Sequence, residues 1–71
     1  MRKRSLTIAG HRTSLALEAQ FWEALETIAA ERGMSLAQLV TSVDQTRVEA
    51  NLSSALRIFA LDHFRARGSE R

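Results

Sequence analysis

From Arg12 to Leu17 polar and apolar positions alternate, with Thr13, Leu15 and Leu17 on one side and Arg12, Ser14 and Ala16 on the other. That is the period of a half-buried strand. Upstream, Leu6 and Ile8 alternate on the opposite parity, so Gly10 has to absorb a bend, bulge or turn between the two stretches. From Ala19 the period lengthens. Phe21, Trp22, Leu25, Ile28 and Ala29 form one stripe of a helix over 19–32, whose other face carries glutamates. Leu17 and Trp22 are spaced as a hydrophobic staple around Glu18, a poor N-cap, and Gly33 is a good stop. Ser35 and Gln38 make a capping box, with Met34 and Leu39 as a second staple, and open a helix over 35–47 with Leu36, Leu39, Val40 and Val43 on its apolar face. Asn51 has the chemistry of a further N-cap, ahead of Leu52, Ala55, Leu56, Phe59 and His63 on one face of a third helix over 52–65. A break between the last two helices is favoured over one bent helix from 35 to 65. The division expected is a basic N-terminal arm (1–11), a strand-and-helix domain (12–65, strand 12–17) and a tail (66–71).

Seventy-one residues bury only about 60% of the surface they expose when unfolded, so a domain of this size is marginal alone. With no Cys, disulfides and thiolate metal sites are excluded as remedies, and a partner subunit becomes the leading one. No apolar run reaches the roughly 18 residues of a membrane span, which makes a cytoplasmic protein the expectation. The layout of charge says more than its sum. The first seventeen residues hold Arg2, Lys3, Arg4 and Arg12 and no acid, while residues 18–31 hold Glu18, Glu23, Glu26 and Glu31 and no base. A basic end on a small domain points toward nucleic acid or an acidic surface.

A lone strand leaves its N–H and C=O groups unpaired and needs a mate. Either Leu6 to Ala9 folds back through Gly10 and His11 as a hairpin, or the strand pairs with its copy in a second molecule across a two-fold axis. The second choice also answers the size problem and is the one expected. It turns Arg12, Ser14 and Ala16 outward on a two-stranded ribbon, a shape that fits the DNA major groove.

The basic start, the short strand, the first helix, the Gly33-Met34-Ser35 turn and the second helix together resemble the ribbon-helix-helix (MetJ/Arc-type) DNA-binding proteins. The run RSLTIAGHRTSLALE followed by Phe21-Trp22, then ERGMSLAQLV, then NLSSALRIF is similar to a compact, stand-alone bacterial subfamily, from about Lys3 to Phe64. The resemblance implies a mostly α fold with one short strand, an intertwined homodimer with an intermolecular ribbon, and an added C-terminal helix. It implies a sequence-specific transcriptional regulator, a repressor, whose partner is double-stranded DNA. Arg12, Ser14 and Ala16 take the base-contacting positions and Gly33, Met34 and Ser35 the phosphate-binding turn, where exposed amides and the helix dipole favour an anion. Arg2, Lys3 and Arg4 are expected on phosphates as well. Leu15, Leu17, Phe21, Trp22, Leu25, Leu39 and Val40 are assigned to the dimer core.

Other readings of the same residues are weaker. Arg12 also suits edge protection of a ribbon, and Phe21 and Trp22 suit a core far better than a platform for stacking bases. His11 and His63 have no acidic partner at ligand spacing, so no metal and no cofactor is expected. Nothing assembles a catalytic site, and an enzyme is not expected. The competing class is an antitoxin-like or adaptor dimer that binds a partner protein through the third helix.

Overall fold

A turn of two residues accounts for the opposite parity of the two N-terminal stretches. The computed structural model describes residues 1–68 and begins with strand β1 (Arg2–Ile8), which turns at Ala9 and Gly10 into strand β2 (His11–Leu17). Both turn residues have positive φ, 52° and 82°, the combination of a type I′ hairpin, whose twist matches that of the strands it joins. The antiparallel register runs from Ile8 opposite His11 to Arg2 opposite Leu17. Facing residues of such a pair project to the same side. A two-residue turn therefore sets even positions of β1 against odd positions of β2, and Leu6 and Ile8 join Leu15 and Leu17 on one face.

The residues expected to form a basic arm over 1–11 are thus mostly a strand, and the ribbon is completed within the chain, the first of the two pairings the sequence allows. The second strand begins at His11, one residue before the expected start. β1 pairs one edge of β2, and the other edge has no strand beside it among the described residues.

Three helices follow: α1 (Ala19–Glu31), α2 (Leu36–Thr46) and α3 (Leu52–Gly68). Glu18 stands at the N-cap of α1 without a side-chain cap, because its carboxylate takes Arg57 Nε at 2.9 Å and Nη2 at 3.4 Å and so ties α1 to α3. At the other end the Gly33 amide donates to the Ala30 carbonyl at 3.2 Å and the Met34 amide to Ala29 at 2.9 Å, the paired bonds of a Schellman ending, with Gly33 at φ 67° supplying the left-handed residue. The capping box at Ser35 is present in both directions.

The break after α2 is held by one side chain. Arg47 leaves the helix in an extended conformation, and its guanidinium reaches Asp44 at 2.8 Å, the Glu49 carbonyl at 2.7 Å and the Ala50 carbonyl. Asn51 then caps α3 by accepting the Ser54 amide at 3.1 Å. This helix runs three residues past its expected end; the rest of the expected tail, 69–71, lies outside the described residues.

Leu17, Leu25, Ile28, Leu39, Val40 and Leu56 are fully enclosed, and each contributes about 1.5–3 kcal/mol by leaving water. Leu15 and Trp22 are buried beside them and Phe21 is half-buried. Of the side chains assigned to a shared dimer core, all but Phe21 are buried within their own chain, with the hairpin as its lid. Among the described residues no helix is long and apolar enough to cross a membrane.

Candidate nucleic-acid interface

The face of the hairpin turned away from the helices is built by the same register that builds the core. Three facing pairs project outward: Thr7 with Arg12, Ser5 with Ser14, and Lys3 with Ala16. Arg12, Ser14, Lys3, Ser5 and Thr7 are exposed and Ala16 is half-buried. The hydroxyls of Ser5 and Ser14 lie 3.3 Å apart across the strands. Two cations, three hydroxyls and a methyl thus share one surface with no carboxylate, on a ribbon of the width that a major groove admits. Neither Lys3 nor Arg12 has an ion-pair partner among the described residues.

The structure separates the three N-terminal cations, which the sequence groups together. Arg2 and Arg4 lie on the inner face, opposite Leu17 and Leu15, and only Lys3 faces outward. Arg4 Nη1 meets Glu26 Oε1 at 3.0 Å, and its guanidinium carbon lies 5.1 Å from the centroid of the Trp22 ring. Trp22 in turn donates its indole N–H to the Arg2 carbonyl at 2.9 Å. Here Arg2, Lys3, Arg4, Ala19, Trp22, Glu23 and Glu26 line a half-open cavity of about 400 Å³. The Arg4 guanidinium thus rests against α1, between Glu26 and Trp22.

The turn at 33–35, expected to bind phosphate, spends its own amides within the chain. Of the three residues expected to offer amides, Gly33 and Met34 donate to α1 carbonyls and Ser35 donates to Gln38 Oε1 at 2.8 Å. The Gln38 amide is taken by Ser35 Oγ at 3.1 Å. The N–H groups left at the positive end of the α2 dipole are those of Leu36 and Ala37, for which no acceptor is present among the described residues. They adjoin the ribbon: Ala37, Gln38, Thr41, Ser42 and Gln45 of α2 line a shallow cleft of about 260 Å³ together with Thr7 of β1. A phosphate on those two amides would sit beside the turn end of the outward face.

The sequence reading missed Ser5 and Thr7 on that face and placed Lys3 in a loose arm. The signal for all three was available in the opposite parity around Gly10, which in a two-residue hairpin aligns the strands.

Away from this surface, the charged groups serve the helix packing. A hydrogen bond from Arg57 holds the Glu18 carboxyl below the usual carboxylate range, and one from Arg67 at 2.8 Å does the same for Glu31. His63 Nε2 lies 3.4 Å from Glu31 Oε1 without the geometry of a hydrogen bond, and its ring meets the edge of Phe64 at 5.0 Å. Among the described residues no group of three metal-ligating side chains comes together. On α3, Ile58, Leu61 and Phe64 are exposed at three-residue spacing.

A family model described as a ribbon-helix-helix domain matches residues 1–64. Among solved structures the chain is similar to an uncharacterized protein from Bordetella pertussis Tohama I, at 39% identity and a TM-score of 0.84, over 97% of this chain and 59% of that one. The chain thus spans about three fifths of that protein's length. No curated protein matches it.

Proposed function

The chain belongs to the ribbon-helix-helix domain family, which generally includes DNA-binding regulators and antitoxins, and from that premise we propose that it is a sequence-specific DNA-binding transcriptional regulator, a repressor acting in the bacterial cytoplasm. The observation that carries this reading is the outward face of the hairpin, which presents Arg12 and Ser14 with Ala16 and carries no acid. Arg12 reads a guanine through its two-donor fork, Ser14 bonds a base edge, and Ala16 makes apolar contact. Backbone contacts position the ribbon: the α2 N-terminus behind Gly33, Met34 and Ser35 holds one phosphate through the Leu36 and Ala37 amides, and the exposed Arg2 reaches another. The protein does no catalysis and needs no cofactor.

The working state is a homodimer. Its support is the α3 stripe of Ile58, Leu61 and Phe64, which two antiparallel copies cover by placing Leu61 against Leu61 and Ile58 against Phe64. The same stripe favours a second reading, in which α3 seats a partner protein as an antitoxin-like or adaptor module does.

Selection of bound duplexes from a random DNA pool by the full chain tests the first reading. Enrichment of one motif, with affinity falling as salt rises, is the expected result; a pool left unenriched removes it. Sedimentation of the wild type and of Leu61→Asp tests the state: a dimer that the substitution dissociates is expected, and a wild-type monomer leaves α3 to a partner protein.

A further inference from the structure

Resting on the DNA-binding reading above, we infer that β1 is a second reading strand, with Lys3 and Thr7 determining base preference alongside Arg12. The hairpin register places the three β1 residues on the same outward face as the three of β2, each beside its cross-strand partner. Lys3 is tied to no carboxylate among the described residues, and the side chain across from it is the small Ala16, which leaves its stem room to extend from the face. Thr7 stands beside Arg12 at the turn end and combines a hydroxyl with a methyl group, the two features that meet base-edge polar atoms and the thymine methyl.

The arrangement has a direction. The two strands of this ribbon differ in sequence, so its face is not two-fold symmetric, as a ribbon of two identical strands would be. Lys3 and Arg12 occupy opposite corners, one on each strand, with the Ser5 and Ser14 hydroxyls between them. From the Lys3 pair to the Thr7 pair is four residues, roughly 13 Å at about 3.3 Å per residue. That distance spans about four base-pair steps of roughly 3.4 Å. Both cations favour the O6 and N7 acceptors of guanine. One hairpin therefore reads a directional site with two guanines about four base pairs apart.

The test uses the full chain and the duplex that the wild type selects from a random pool, together with a panel in which each base pair of that duplex is replaced in turn. Lys3→Ala, Lys3→Gln, Thr7→Val and Arg12→Ala are titrated against the whole panel. The expected result is that both Lys3 variants lose roughly tenfold or more of the discrimination at one base pair, and Arg12→Ala loses as much at another about four pairs away. Thr7→Val alters the preference at the pair beside that of Arg12. If the Lys3 and Thr7 variants weaken every duplex by one common factor, or leave the panel unchanged, while Arg12→Ala still loses discrimination, β1 is not a reading strand and the inference is overturned. If Arg12→Ala also leaves the panel unchanged, the DNA-reading role of the whole face falls with it.

Discussion

Trp22 is the side chain on which the placement of β1 most depends, and replacing it with Phe separates its polar contacts from its bulk. Its ring is buried at 3% exposure, its N–H donates to the Arg2 carbonyl at 2.9 Å, and the Arg4 guanidinium carbon lies 5.1 Å from its centroid. Phe has no donor, which removes a hydrogen bond worth about 1 kcal/mol. A smaller ring weakens the cation–π contact by roughly 0.5 kcal/mol and leaves a small void worth about 1 kcal/mol. The Arg2 carbonyl is at an exposed residue and regains water, so the hydrogen-bond figure is not raised by a desolvation penalty. The expected loss is about 2.5 kcal/mol, which for a domain of this size lowers the melting temperature by roughly 10–20 °C. Urea denaturation measures the first figure, and hydrogen exchange at Lys3 to Leu6 reports whether β1 has loosened first. A variant within about 0.5 kcal/mol of wild type, with β1 amides exchanging as before, would refute the argument that the indole pins the strand.

Three further outcomes follow from other parts of the fold. Ala9 holds a positive φ of 52° without the side chain that tolerates it, so Ala9→Asn should stabilise the hairpin by roughly 0.5–1 kcal/mol in thermal melts; destabilisation would contradict the turn type. Ser35→Ala removes the acceptor of the Gln38 amide and should cost about 1 kcal/mol of stability while weakening every DNA sequence alike; a loss confined to one sequence would make Ser35 a base reader. The Glu18 and Glu31 carboxyls titrate below their unfolded values, so the stability they contribute is complete above the ordinary carboxylate pKa and is lost as pH falls through the lowered folded one. Denaturation midpoints should therefore drop on acidification through this range, and less so in Glu18→Gln.

The helices were legible because their signals are local. A capping box, a glycine stop and an asparagine cap each lie within four residues, and all three operate as their residue types require. The hairpin was half legible: the alternation in β2 was plain, but β1 reads as a basic arm, since Arg2 and Arg4 occupy inner-face positions where an apolar residue is the usual sign of a strand. What satisfies them there is non-local, Glu26 and Trp22 of α1, and no spacing rule along β1 reports it. The turn at 33–35 illustrates the converse. Residue types at 33–35 identify the turn, but only the hydrogen bonds reveal that its own amides are spent and that the two following ones are free.

Sequence reading from the ribbon face depends above all on Arg12. The decisive measurement is the affinity of wild type and Arg12→Ala for the selected duplex and for a scrambled one, each at two salt concentrations. Arg12→Ala should stay folded, since its side chain is exposed and has no ion-pair partner among the described residues, and should lose roughly 1–3 kcal/mol of discrimination per lost contact. Wild-type discrimination in Arg12→Ala would show that Arg12 does not read base edges.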